Sequence, residues 1–96
     1  MLIVLTYDVN VTTMGGEKRL RKVAKICESY GVRVQNSVFE LLVDNAQLII
    51  IKGKLLQIID EELDSIRFYN MGSKWERKIE FYGKGLVVDQ GNTLIL

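Results

Sequence analysis

The hydrophobic pattern along the chain changes its period in a fixed order, and this order restricts the folds that the chain can adopt. Residues 2–7 form an unbroken apolar run rich in β-branched side chains, which predicts a strand buried on both faces. Asp8 ends the run, and the Gly15-Gly16 pair precedes a predicted helix from Glu17 to Tyr30. The helix carries one apolar stripe, which consists of Leu20, Val23, Ala24, Cys27 and Tyr30.

The pattern then returns to strand, strand, helix and strand. Residues 32–43 carry the β-formers of two strands separated by a polar break. Asp44-Asn45 is a typical cap for a second helix over 46–63, which Gly53 weakens by about 1 kcal/mol relative to alanine. Residues 65–71 alternate as a fourth strand. The order β-α-β-β-α-β predicts a ferredoxin-like α+β sandwich.

The chain continues beyond this unit. Residues 78–82 favour a further strand, and the sequence finishes on Leu94-Ile95-Leu96. Exposed aliphatic side chains forgo roughly 25 cal/mol per Å² of burial, so these residues need a cover, and a second subunit supplies one. We therefore expect a single domain over 1–96. Its core unit is 1–71, and 72–96 is a dimerisation segment whose strand pairs with the other subunit's sheet.

Histidine is absent from the chain, which excludes histidine general bases, Ser-His triads and Cys/His zinc sites. Catalysis would have to use carboxylates, a metal, lysine, tyrosine or bound water. The single cysteine, Cys27, lies among apolar helix positions, which indicates a buried and inert thiol. The net charge of +1 carries no information about nucleic acid, so only the distribution of charge does.

The N-terminal apolar run has no basic residues before it, unlike a signal peptide. No apolar stretch approaches the roughly 18–20 residues of a membrane span. We therefore expect a cytoplasmic protein without a membrane partner.

Asp8 stands where the first predicted strand meets a loop. One interpretation is a turn residue that caps local backbone groups. The other is a ligand of Mg²⁺, which prefers carboxylate oxygen and keeps several waters. Because one carboxylate is a poor site, the second interpretation requires a two-fold axis that brings two copies of Asp8 together.

The first predicted helix carries a basic stripe at i, i+3, i+4 and i+7, made of Lys18, Arg21, Lys22 and Lys25. Arg19 lies to one side of it and adds to the same surface. A solvated helix face explains such a stripe, but no acidic residue falls inside it, so the charges repel one another. A phosphate backbone would relieve that repulsion, which makes the stripe a candidate nucleic-acid surface.

Arg33 opens a polar segment whose alternation sends Arg33, Gln35 and Ser37 to one side. This set is able to bind phosphate or order water, and an irregular hairpin is the alternative. The acidic run formed by residues 60–62 and Asp64 is interpreted as a solvated helix end.

Three segments together resemble a known family. They are Tyr7-Asp8-Val9 at the end of the aliphatic strand, Arg21-Lys22-Val23-Ala24-Lys25 in the basic helix, and Val34-Gln35-Asn36-Ser37-Val38-Phe39-Glu40. From residue 2 to about 82 the chain is similar to the CRISPR-associated adaptation endonucleases, the small second core protein of CRISPR adaptation, which partners the spacer integrase.

The resemblance implies a ferredoxin-like homodimer with C-terminal strand exchange and a catalytic, Mg²⁺-binding aspartate, which is Asp8 here. Family basic residues correspond in kind to Arg19, Arg21, Lys22 and Arg33. In the family's complex the dimer bridges two integrase dimers and supports the DNA between them. The insert at 14–16 is more similar to the DNA-cutting branch of the family than to the RNA-cutting branch.

The resulting hypothesis is a dimeric, Mg²⁺-dependent endonuclease subunit of CRISPR adaptation that binds duplex DNA and supports spacer acquisition. Two alternatives use the same fold: a non-catalytic DNA-binding scaffold, and a stand-alone, toxin-like endoribonuclease. A small-molecule regulatory domain is a third. A basic stripe without acidic partners argues against it.

Overall fold

The computed structural model describes residues 1–74 together with Glu80 and Tyr82. Six elements follow one another in the order that the sequence predicts. They are β1 (Leu2–Asp8), α1 (Gly16–Tyr30), β2 (Gly31–Gln35), β3 (Val38–Leu42), α2 (Asn45–Leu56) and β4 (Ser65–Gly72). The strand expected at 78–82 and the terminal aliphatic residues lie outside the described residues, apart from Glu80 and Tyr82.

The four strands form one antiparallel sheet in the order β2-β3-β1-β4. β1 is central and pairs with β3 on one side and with β4 on the other. Both helices pack on one face of the sheet, where Val23 of α1 and Ile51 of α2 join the same buried cluster as Leu5. This topology confirms the predicted ferredoxin-like α+β fold.

The prediction that β1 is buried on both faces is confirmed in full on the helix side and in part on the opposite side. Ile3 and Leu5 are fully buried on the helix side, and Tyr7 is nearly so. On the opposite face, which we call the second face, Leu2 is buried as well, whereas Val4 and Thr6 are only partly buried. Side chains of a strand alternate between faces, and both helices cover the same one.

α1 starts at a glycine pair that the local geometry requires. Gly15 precedes the helix in the left-handed region, with φ 84°. A Cβ on Gly16 would collide with the Asn10 carbonyl oxygen and the Val11 Cα. The helix start is therefore packed directly against the loop that follows β1, which is possible only without a side chain at residue 16.

α2 begins with a capping box, in which the Asp44 carboxylate accepts from the Gln47 amide and the Gln47 side chain accepts from the Asp44 amide. The helix passes through Gly53 without a break. It ends at Leu56, so the predicted extension to residue 63 is wrong. Residues 57–64 form turns instead, and the buried Asp64 carboxylate accepts from the Asp60 amide within them at 2.9 Å.

Among the residues that the structure describes, none belongs to a helix long and apolar enough to cross a membrane.

Candidate active site and nucleic-acid interface

Asp8 is the last residue of β1 and lies opposite Ser65 of β4 in the sheet register. Because Ile3, Leu5 and Tyr7 face the helices, strand alternation directs Asp8 to the second face. Its side chain is exposed and lines a pocket of about 250 Å³. Within the described part of the chain, its carboxylate accepts no hydrogen bond and joins no ion pair. The carboxylate is free to bind a ligand.

The same pocket contains a cation that the sequence reasoning missed. Its lining residues are Thr6, Tyr7, Asp8, Ser65, Arg67 and Tyr69. Arg67 lies opposite Thr6 in the register, just as Ser65 lies opposite Asp8. Paired residues share a face of the sheet, so Arg67 and Asp8 both lie on the second face. The neighbouring Tyr69 side chain raises the pKa of Arg67. Alternation along β4 places Arg67 on the same face as Ser65. Its position beside Asp8, however, follows only from the register of β4 against β1.

The pocket offers oxygen ligands of the type that Mg²⁺ prefers: the Asp8 carboxylate and the Ser65 and Thr6 hydroxyls. No described residues cluster as three or more metal-ligating acidic, cysteine or histidine side chains. These oxygen donors are therefore of the type that binds a hydrated Mg²⁺, but each chain provides only one carboxylate to this pocket. A second carboxylate has to come from elsewhere, as the two-fold hypothesis requires.

Arg19 is placed differently from the other basic residues of α1. Its Nε donates to Asp64 Oδ2 at 2.8 Å, and the Asp64 side chain has no exposed surface. The assignment of Asp64 to a solvated helix end is therefore wrong, because the turn at 57–64 folds it against α1. The pair also holds the loop after Asp8: the Asn10 amide donates to Asp64 Oδ1 at 2.9 Å, and Arg19 donates to the Asn10 carbonyl at 3.3 Å.

The basic stripe of α1 is exposed along its whole length, at Lys18, Arg21, Lys22 and Lys25. None of the four joins an ion pair with any described residue. The buried side of the helix is formed by Val23 and Cys27, which pack on the sheet. The stripe is therefore an unneutralised positive surface on the helix layer, whereas Asp8 faces the other side of the sheet.

Arg33 lies on the helix side of the sheet and outside the Asp8 pocket. Its guanidinium stacks over Phe39, with Cζ 5.0 Å from the ring centroid, and donates to Glu28 Oε1 at 2.7 Å. The expectation that Arg33 and Gln35 share a face is wrong. A bulge between them places them opposite Phe39 and Val38, which are consecutive residues with opposite orientations.

Two buried groups complete the electrostatics. Burial raises the pKa of the Cys27 thiol to about 12, which agrees with the predicted inert cysteine. Glu40 is 8% exposed on the second face, and burial raises its pKa as well. Its Oε1 has no hydrogen-bond partner. In the sequence, Glu40 stands out only as the last residue of the family motif.

Comparison with known proteins agrees with this fold and site. The sequence pattern of the family described as "CRISPR associated protein Cas2" matches residues 1–79. The "CRISPR-associated endonuclease Cas2" of Halalkalibacterium halodurans is 52% identical over 95 residues, which cover 99% of each chain. The "CRISPR-associated endoribonuclease Cas2" of Chlorobaculum tepidum is 50% identical over the full length of both chains.

The crystal structure of Streptococcus pyogenes Cas2 at pH 6.5 superposes with a TM-score of 0.75. It is 57% identical and covers 86% of this chain and 100% of that chain. A second structure, of a hypothetical protein from Thermus thermophilus, has a TM-score of 0.74 at 29% identity, covering 88% of this chain and 93% of that chain. The resemblance drawn from the three sequence segments is confirmed, and the chain belongs to the Cas2 family of CRISPR-associated proteins.

Proposed function

We propose that the protein is a dimeric, Mg²⁺-dependent endonuclease subunit of CRISPR adaptation, which acts in the cytoplasm on duplex DNA together with an integrase. The observation that carries the catalytic part is the unpaired Asp8 carboxylate in a polar pocket. The nuclease names of relatives at about half identity support the same activity.

Asp8 would hold the metal with the hydroxyls of Ser65 and Thr6 nearby. A second copy of the chain across a two-fold axis would add the second Asp8 carboxylate that one pocket lacks. When bound, Mg²⁺ activates water and stabilises charge on the phosphate. Asp8 itself positions the cation, and its location at a strand end keeps the site on a rigid element.

The basic stripe on α1 would bind the DNA backbone. Its charges lack acidic partners among the described residues, so phosphate binding relieves their mutual repulsion. Arg33 is partly neutralised by Glu28 and would contribute less. Arg19 gives its guanidinium to the buried Asp64, so we assign it to holding the Asn10 loop rather than to DNA.

The homodimer would form through residues after 71. β4 is the last strand of the described sheet on its side, and a strand from another copy would pair along its outer edge. The aliphatic C-terminus supplies apolar surface that such pairing would bury.

One observation favours a second function, that of a DNA-binding scaffold without cutting. The basic stripe and the Asp8 pocket lie on opposite layers of the molecule, so DNA binding on the stripe does not require Asp8. The relatives' names, endonuclease in one and endoribonuclease in another, also leave RNA as the alternative substrate.

The deciding variant is Asp8→Asn, which keeps the side-chain shape and removes the charge. We expect it to lose Mg²⁺-dependent cleavage of duplex DNA while its melting temperature and DNA affinity are unchanged. Glu61→Gln removes another exposed carboxylate and is the matched control, which should cleave like the wild type. Undiminished cleavage by Asp8→Asn removes Asp8 from the mechanism. Single-stranded RNA assayed in parallel separates the two substrates.

Spacer acquisition in cells that carry the integrase and a repeat array distinguishes the nuclease from the scaffold. If cutting is required, Asp8→Asn abolishes acquisition. If the protein works as a scaffold, Asp8→Asn supports acquisition, and reversing the charges of the basic stripe abolishes it.

A further inference from the structure

The Asp8 pocket contains two opposite charges that do not neutralise each other. Arg67 and Asp8 both line it, yet no ion pair within 4.0 Å joins them. Asp8 has no side-chain partner among the described residues, and Arg67 joins no ion pair with any of them. The pocket therefore contains one group that binds a cation and one that binds an anion.

The other basic residues cannot serve this pocket. The stripe of α1 lies on the helix layer, and Arg33 is held on the same layer by Phe39 and Glu28. Arg19 is committed to Asp64. Within residues 1–74, Arg67 is the basic side chain that lines the pocket with Asp8.

We propose that Arg67 binds the non-bridging oxygens of a phosphodiester group of the nucleic acid in the pocket beside Asp8. This inference rests on the proposed nuclease function, because it makes Arg67 the substrate-binding residue of that same site. A guanidinium presents a planar fork of donors that matches two phosphate oxygens, which an ammonium group cannot do.

The place of Arg67 in the sheet supports this role. Arg67 and Tyr69 lie opposite Thr6 and Val4, so they are neighbours on the second face, and both line the pocket. Both residues project from β4, which is bonded to the central strand from Leu2 to Asp8. A pocket of about 250 Å³ has room for a phosphodiester group with water, since one water occupies about 30 Å³ of liquid.

The first test measures binding without metal, so that it does not depend on cleavage. A fluorescent duplex DNA is titrated in EDTA at several salt concentrations, with Arg67→Gln and with Lys54→Gln as the charge-matched control on α2. A lost phosphate contact lowers the slope of log K against log salt by about 0.9. We expect this decrease for Arg67→Gln and an unchanged slope for Lys54→Gln. An unchanged slope for Arg67→Gln overturns the inference.

The second test measures steady-state cleavage with Mg²⁺. Removing one charge-stabilising donor from a reacting group costs roughly 100-fold in kcat, so we expect that loss for Arg67→Gln. Arg67→Lys keeps the charge without the fork, and we expect an unchanged salt slope with a kcat reduced by more than tenfold. Wild-type kcat in Arg67→Lys overturns the inference, and this variant decides the matter if Arg67→Gln does not fold.

The outcomes separate this inference from the proposed function. If Asp8→Asn is inactive while Arg67→Gln cuts and binds normally, the nuclease proposal stands and the role of Arg67 is wrong. If the wild type does not cut, the nuclease proposal fails, and the slope in EDTA still shows whether Arg67 contacts phosphate.

Discussion

Arg19 of α1 and Asp64, which precedes β4, form an ion pair with Nε 2.8 Å from Oδ2, and the Asp64 side chain is fully buried. The two residues lie 45 positions apart in the chain. Asp64 also accepts from the Asn10 and Asp60 amides at 2.9 Å each. The ion pair therefore links three segments: the loop after β1, helix α1 and the turn that precedes β4. Asp8 and Ser65 lie at this end of the sheet, so the pair helps to position both residues.

Removing either member of this pair should be destabilising. Asp64→Asn leaves the Arg19 guanidinium, which is 16% exposed, without its counter-charge. Leaving a partly buried charged donor without its partner costs about 1–3 kcal/mol, so we expect a loss of that size in the free energy of unfolding, measured by urea denaturation. Glu62→Gln, an exposed neighbour, is the control and should change stability by less than about 0.5 kcal/mol. A small effect of Asp64→Asn would show that the pair is dispensable.

The pH dependence of stability should also reflect the ion pair between Arg19 and Asp64. Burial acts to raise the pKa of Asp64, but the Arg19 guanidinium and the Asp60 and Asn10 amides together outweigh it, and the pKa is lowered. The stabilisation that ionised Asp64 contributes is present above its unfolded pKa of about 3.9. It disappears as the pH falls through the lower pKa that Asp64 has in the folded state. Denaturation curves below pH 4 should show this loss in the wild type and much less of it in Asp64→Asn.

Glu40 should have the opposite dependence. Burial raises its pKa, and Oε1 has no partner, so ionisation in the folded state is unfavourable. The contribution of protonated Glu40 to the free energy of unfolding is complete below its unfolded pKa of about 4.3. It is lost as the pH rises through the higher pKa that Glu40 has in the folded state. Glu40→Gln should raise the unfolding free energy at pH 8 by about 1 kcal/mol and have no such effect at pH 4. Equal effects at both pH values would contradict this assignment.

The two helix glycines should respond differently to alanine. A Cβ on Gly53 would meet no heavy atom within 4 Å, so Gly53→Ala should stabilise the protein by about 1 kcal/mol through helix propensity alone. A Cβ on Gly16 would collide with the Asn10 carbonyl oxygen, so Gly16→Ala should lower the melting temperature. Thermal denaturation of both variants tests these two predictions. Stabilisation by Gly16→Ala would show that the Asn10 loop is free to shift.

The α1 surface predicts a change in DNA affinity. Reversing Lys18, Arg21, Lys22 and Lys25 to glutamate should weaken duplex binding and flatten its salt dependence, with about 0.9 lost from the slope per phosphate contact. The four side chains are exposed, so folding should be preserved, which circular dichroism checks. An unchanged slope would identify the stripe as a solvated helix face.

Most of the fold could be predicted from local sequence alone. The period of the hydrophobic residues identified all six elements in order, because a buried face repeats every 3.6 residues in a helix and every second residue in a strand. The Asp44 cap and the Gly15-Gly16 start were also readable, since each depends on groups within a few residues. The family motif and the exposed basic stripe were determined in the same way.

Only the tertiary structure decided which charged residues meet. The sequence predicts that Arg19 adds to the basic surface of α1, but Arg19 pairs with Asp64 from across the chain. A bulge also turns Arg33 away from Gln35. The neighbourhood of Asp8 and Arg67 likewise exists only after β1 and β4 pair in register. The physical reason is that a side chain's partner and protonation depend on burial and on distances between atoms far apart in sequence, which local periodicity does not encode.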